Sequence, residues 1–77
     1  MLNIKIIKEF YNHSSDKIYH LYVPPEQVIY FGYILESLEG WTFYTTIDNK
    51  NSIMHVEVIK DYINDFLLLF EKLNSNK

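Results

Sequence analysis

Apolar and polar positions alternate in two short segments of the chain, and apolar positions recur at helical spacing in two longer ones. Alternation is typical of strands and a spacing of three and four is typical of helices. Two further segments are rich in β-branched and aromatic residues, which also favours strands. The predicted strands are residues 4–11, 17–23, 41–47 and 52–59, and the predicted helices are 25–38 and 61–73.

Turn signals separate these segments. The polar clusters NHSSD at 12–16 and DNKN at 48–51 predict tight turns between strands. The Pro24-Pro25 pair predicts the end of a strand and the first turn of a helix. Gly40 is expected to cap the end of the first helix, and Asp61 to cap the start of the second.

The chain contains a near-repetition. The letters IYHLYVPPE, from Ile18, are echoed by IMHVEVIKD, from Ile53, and the same shift places His20 on His55 without a gap. Such a period predicts two halves related by a pseudo-two-fold axis. The alternative is chance, since segments that end a strand and begin a helix resemble one another. The two halves would be residues 4–38 and 41–73.

Two strand–strand–helix units predict an α+β fold, with a four-stranded sheet of order 1-2-4-3 and both helices on one face. This is a ferredoxin-like arrangement, circularly permuted so that its last strand comes first. We expect the two echoed strands to be central neighbours and parallel, because a right-handed crossover usually joins parallel strands. Residues 1–77 would form one domain with a frayed tail at 74–77.

The alternation also predicts which side of the sheet is buried. One set should lie under the helices: Tyr19, Leu21, Val23, Met54, Val56 and Val58. The other set should form a second face that the helices leave open: Ile18, His20, Tyr22, Ile53, His55 and Glu57.

Composition narrows the classes of function. The chain has 77 residues, 48% of them hydrophobic and 17% aromatic, which indicates one packed core. It has no cysteine, no apolar run of membrane-spanning length and no signal-like start, so we expect a cytosolic protein without membrane partners. Net charge is −3 and all seven basic residues are lysine, which argues against nucleic-acid binding.

His20, His55 and Glu57 are the residues closest to a metal-ligand set, since imidazole and carboxylate groups bind zinc or non-haem iron. A flat sheet rarely supplies a tight coordination shell, so we expect no metal and no other cofactor. No serine, cysteine or aspartate stands at useful spacing to activate these histidines. We therefore expect a protein that is not an enzyme.

The sequence favours an interaction domain that forms a homodimer, with a further protein partner possible. Two surfaces remain open as the interface: the second sheet face, or the predicted edge strand with Trp41, Phe43 and Tyr44. The alternative is a regulatory module that binds a small ligand or a metal. Gly32, in mid-helix, suggests that another element approaches closely there.

The run YHLYVPPEQVIYFGYILESLEGW, followed by TTID, a strand and an amphipathic helix, resembles a small bacterial family of unknown function, numbered 4911. The resemblance covers about three-quarters of the chain and consists of a strand stop, a helix stop and a hairpin turn. It implies no activity. The architecture is also similar to amino-acid-sensing ACT-type domains, although Pro24-Pro25 stands where those carry a glycine-bearing ligand loop.

Overall fold

The structure is a computed structural model that describes residues 2–74. Its elements follow the predicted order, strand–strand–helix twice. They are β1 (Lys5–Tyr11), β2 (Lys17–Tyr22), α1 (Val28–Ser37), β3 (Thr42–Asp48), β4 (Ile53–Val58) and α2 (Ile63–Leu73). The four strands form one sheet in the order β1-β2-β4-β3, so the predicted sheet order is confirmed.

The predicted direction of the central strands is wrong. Strands β2 and β4 pair antiparallel, as do the two hairpins β1–β2 and β3–β4. The crossover through α1 does join parallel strands, but these are β2 and β3, and β4 lies between them. Because the tight hairpin makes β4 antiparallel to β3, β4 must also run antiparallel to β2.

The antiparallel register places His20 directly opposite His55 at the middle of the sheet. These are the two positions that the near-repetition of the sequence equates. A two-fold axis normal to the sheet would pass between them, although duplication of the chain itself stays a prediction.

Both helices pack on one side of the sheet. The six side chains predicted to lie there are all buried, with exposed fractions of 0–1%. Phe31 and Leu35 of α1 and Phe66 of α2 complete the core, and the Phe66 ring stacks on Tyr19 at 5.5 Å between centroids. Burial of this set fixes the register of both central strands, since a slip of one residue would exchange the faces.

Each helix begins with a single 3₁₀ turn, at Pro25–Gln27 and at Lys60–Tyr62. The predicted cap at Asp61 is wrong, because Asp61 lies inside the second of these turns and caps no helix with its side chain. Gly40 has a left-handed backbone (φ 85°), as its predicted role requires, but it lies three residues after Ser37, the last residue of α1, and two after the C-cap residue Leu38.

The N-terminal segment is fastened to the end of α2. The amide of Leu2 donates to the carbonyl of Leu73 at 2.7 Å, and the amide of Ile4 donates to the side chain of Asn74 at 2.8 Å. Asn74 is therefore held in place and does not fray; the rest of the predicted tail, 75–77, lies outside the described residues. Leu2 and Ile4 are both buried in the core.

Candidate interaction surface

The side of the sheet away from the helices carries three rows of four side chains, which we call the open sheet face. The register pairs the residues of each row across β1, β2, β4 and β3 in turn. The rows are Phe10, Ile18, Glu57 and Phe43; Lys8, His20, His55 and Thr45; Lys5, Tyr22, Ile53 and Asp48. All six residues predicted for this face lie on it.

The centre of the open sheet face is a hydrogen-bonded histidine pair. His20 Nε2 lies 3.1 Å from His55 Nδ1, and the ring centroids are 5.1 Å apart. Phe10 packs edge to face against the His20 ring, with the two ring centroids 5.7 Å apart and the ring planes nearly perpendicular. Burial lowers the pKa of His20, and repulsion from His55 and Lys8 lowers it further. The His20 ring therefore stays neutral at neutral pH.

Exposure across the open sheet face is uneven. Phe43 is 63% exposed and Phe10 37%, whereas Ile18 between them is only 7% exposed. Tyr22, Ile53, His20 and His55 are half-buried. The face thus has a partly covered middle and two aromatic side chains that are exposed at its margins.

Charge on the open sheet face is separated by strand. The basic side chains Lys5 and Lys8 lie on β1, whereas the acidic side chains Glu57 and Asp48 lie on β4 and β3. Within residues 2–74 the ion pairing is limited to Glu9 with Lys17, which lies on the helix side. The four charges of the open sheet face therefore have no opposite charge in contact within the described chain.

Two of these charges contact neutral groups instead. The Lys8 ammonium lies over the Phe10 ring, 5.3 Å from its centroid. Glu57 Oε2 accepts a hydrogen bond from the Asn12 side chain at 3.1 Å. Asp48 accepts two hydrogen bonds from Asn51, which hold the β3–β4 turn and lower the pKa of its carboxyl group.

The three predicted residues of the edge strand point in different directions. Trp41 precedes β3 and stacks on Tyr62, with planes 7° apart and centroids 5.1 Å apart. Tyr44 faces the helices, where its hydroxyl donates to Glu36 Oε2 at 2.6 Å. Phe43 lies on the open sheet face. The two surfaces predicted as alternative interfaces, the sheet face and the edge strand, therefore overlap at this residue.

The histidine pair stands without a third metal ligand among the residues that the structure describes. No group of three or more His, Cys, Asp or Glu side chains within residues 2–74 is arranged to hold a metal ion. The predicted third member, Glu57, lies one row away from the pair and contacts Asn12. The candidate set His20, His55 and Glu57 is thus not assembled by one chain.

A groove of ≈ 400 Å³ runs between α1 and β3, on the helix side. Glu36 and Tyr44 line it and also line a second hollow of ≈ 230 Å³, which contains Gly32. The Tyr44 hydroxyl lies 3.5 Å from the point where a Cβ of Gly32 would sit, which is ordinary contact distance. The expected close approach at Gly32 is therefore made by Tyr44.

Sequence reasoning missed the outer residues of the open sheet face. Lys5, Lys8 and Phe10 are brought there by β1, whose register shifts between Ile6 and Lys8. An irregularity of this kind moves one residue out of the alternation, so the side to which each later residue points cannot be read from a period of two. The same irregularity occurs on β3 between Thr46 and Asp48.

The comparisons with known proteins give one result. A family model described as a domain of unknown function, DUF4911, matches residues 21–76. The chain belongs to the DUF4911 family. This confirms the resemblance noted from the sequence. The comparison with curated proteins and the comparison with solved structures gave no match.

The match to DUF4911 covers α1, β3, β4 and α2, and it begins within β2. His55 and Phe43 lie inside it, whereas β1 and His20 precede it. The family description names no activity, so function must be argued from the open sheet face itself. None of the helices in residues 2–74 is long and apolar enough to cross a membrane.

Proposed function

We propose that this DUF4911 domain is a non-enzymatic interaction domain that forms a homodimer, and that the open sheet face is the dimer interface. The observation that carries the proposal is the arrangement of the face: apolar and aromatic, uncovered by either helix, with opposite charges at its two sides. The same face on a second copy offers acidic groups to the lysines and lysines to the acidic groups.

The separated charges select one orientation of the second copy. In a two-fold dimer each contact occurs twice, with residue i on j and residue j on i. If the axis lies along the strands, between the two sheets, then β1 of one copy lies over β3 of the other. Each Lys5 then meets Asp48 of the second copy, and each Phe10 meets Phe43.

An axis at right angles to the strands is much less favourable. It would place β1 over β1, so that Lys8 of one copy lies on Lys8 of the other. Like charges in apposition cost free energy, and a desolvated pair costs more than an exposed one. Either axis keeps the strands of the two sheets aligned, as face-to-face packing favours, so the charges decide between the two axes.

The non-enzymatic role, the protein partner and the cytosolic location are proposed from the histidine pair and from the composition of the chain. Among the hydrogen bonds of residues 2–74, none joins the histidine pair to a nucleophile or a catalytic acid, which supports a role other than catalysis. The absence of arginine and the net charge of −3 support a protein partner over a nucleic acid. The lack of cysteine accords with a cytosolic location.

The test is the molar mass in solution, measured by sedimentation velocity at micromolar to high micromolar concentration. We expect the wild type to be a dimer and Phe43→Asp to be a monomer, because a buried, unpaired carboxylate would oppose association. Ile29→Asp is the matched control: Ile29 is 71% exposed on α1, away from the open sheet face, and its variant should remain a dimer.

Exchanging the charges at positions 5 and 48 tests the orientation of the two copies in the dimer. Lys5→Glu alone places two acidic groups together at each end of the interface, and Asp48→Lys alone places two basic groups together. Both variants should associate weakly, yet a mixture of the two should form a heterodimer in which every contact is again between opposite charges. Because Asp48 also holds the turn through Asn51, Asp48→Asn reports the loss of charge with one acceptor retained.

A monomeric wild type at high micromolar concentration would overturn the homodimer. A dimer that survives Phe43→Asp and fails with Ile29→Asp would move the interface to the helix side.

The groove between α1 and β3 supports a second candidate function, the binding of a small ligand in a regulatory module. Its walls combine apolar Leu35 and Leu38 with the carboxylates of Glu36 and Glu39, so a cationic or hydroxyl-bearing molecule would suit it. Chemical-shift changes confined to these residues on titration with small amines and polyols would support this function. Changes spread over the open sheet face would not.

A further inference from the structure

We propose that the His20–His55 pair is half of a zinc site, and that the same pair in the second copy of the chain completes it as four imidazoles. The inference rests on the proposed homodimer through the open sheet face. It goes beyond that function by assigning a ligand, a divalent zinc ion, to the centre of the interface.

The spacing of the pair fits two ligands of one ion. Zinc–nitrogen bonds of about 2.0–2.1 Å at a tetrahedral angle place two ligand nitrogens roughly 3.3 Å apart. His20 Nε2 and His55 Nδ1 are 3.1 Å apart. A small tilt of both rings would turn their lone pairs from each other towards one ion, with no change in the strands.

The position of the pair brings four imidazoles together. His20 and His55 lie on the two central strands and in the middle of the three rows, so they mark the centre of the open sheet face. A two-fold axis through that centre places each pair against the other pair. Packed sheets stand ~10 Å apart, and a histidine reaching outward from each one spans about half of that gap.

The chemistry of the surroundings suits zinc. Four nitrogen ligands in tetrahedral array are acceptable to zinc, and the aromatic and aliphatic neighbours Phe10, Tyr22 and Ile53 would exclude water from the ion. Glu57, one row away on each copy, supplies compensating negative charge.

Lys8 is the group that opposes this site, because its positive charge lies next to His20 in the same row. Its ammonium is directed over the Phe10 ring, 5.3 Å from the centroid. In the proposed dimer it faces Thr45 of the second copy, so it remains near the edge of the interface.

The experiment measures zinc content and stoichiometry on tag-free protein, by adding zinc chloride and titrating calorimetrically. We expect one zinc ion per two chains for the wild type. His55→Gln should abolish this binding. The control is His13→Gln, which changes the third histidine of the chain, exposed in the turn after β1, and should leave the stoichiometry unchanged.

A second variant separates this inference from the proposed function. Phe43→Asp keeps both histidines but should be monomeric, so it should lose the stoichiometry of one zinc per two chains. Zinc binding of one ion per chain, or binding unaffected by His55→Gln, would overturn the four-imidazole site. A wild-type protein that stays a dimer after treatment with a chelator, and takes up no added zinc once the chelator is removed, would overturn it too, while leaving the homodimer intact.

Discussion

Replacing Tyr19 by phenylalanine should stabilise this protein. The Tyr19 side chain is 1% exposed, and its hydroxyl has no hydrogen-bond partner in the described part of the chain. A hydroxyl that leaves water without finding a partner costs folding free energy. Burial accordingly raises the pKa of Tyr19 above its ordinary value, which favours the neutral hydroxyl.

The size of the effect follows from what the substitution removes and keeps. An unsatisfied buried hydroxyl costs about 1–3 kcal/mol, and deleting it recovers that cost. The deletion also leaves a gap of one oxygen atom, whose lost contacts offset part of the gain. The stack of the ring on Phe66, at 5.5 Å, is retained. We expect a net gain of about 1 kcal/mol in the free energy of unfolding, or roughly 4–8 °C in Tm for a domain of this size.

Tyr44→Phe is the matched control, since it makes the same chemical change where the hydroxyl is bonded. Tyr44 donates to Glu36 Oε2 at 2.6 Å, so its loss should lower the free energy of unfolding by about 0.5–1.5 kcal/mol. Both hydroxyls lie on the helix side of the sheet, so neither change touches the open sheet face.

The assay is chemical denaturation followed by circular dichroism, at one protein concentration for all variants. Opposite signs for the two Tyr→Phe changes are the expected result. A Tyr19→Phe variant that loses 1 kcal/mol or more would refute the reasoning, because it would mean that the hydroxyl has a partner in solution.

Two further predictions concern stability. Gly32→Ala should raise the free energy of unfolding by up to ~1 kcal/mol, because alanine favours the helix and its methyl group would meet Tyr44 at an ordinary 3.5 Å; a loss on denaturation would mean that Tyr44 cannot keep its place. The free energy of unfolding should also decrease as the pH is lowered below 6.5, the ordinary pKa of histidine. Burial depresses the pKa of His20 in the folded chain, so the unfolded chain takes up the proton first. The loss should level off once the pH is below the folded pKa, and His20→Asn should flatten the profile between pH 7 and 5.

The helices and central strands were predictable because their patterns are local or are enforced by burial. Leu21 and Val56 each lie between two less apolar neighbours, and the helix-facing set was identified from the alternation along both strands. The sheet order followed from two strand–strand–helix units. The family resemblance also lies in local signals, such as the Pro24-Pro25 strand stop.

The make-up of the open sheet face was decided by tertiary structure, whereas the antiparallel direction of the central strands follows from the sheet order, the crossover and the hairpin. The echo of His20 in His55 indicated equivalent positions, but whether these positions face each other depends on the register of two strands that are distant in sequence. Irregularities on β1 and β3 then determine which side chains join them. Hydrogen bonds between strands determine to which side of the sheet each side chain points. These bonds join residues that are distant in sequence, so a local pattern does not predict them.

The sequence by itself determined which side of the two central strands is buried, because the hydrophobic effect favours the orientation that removes the more apolar set from water. Only the tertiary structure decided which of the remaining residues become neighbours. Lysines from one edge strand and acids from β3 and β4 lie at opposite sides of a histidine pair, since pairing across β1, β2, β4 and β3 brings together residues from both ends of the chain.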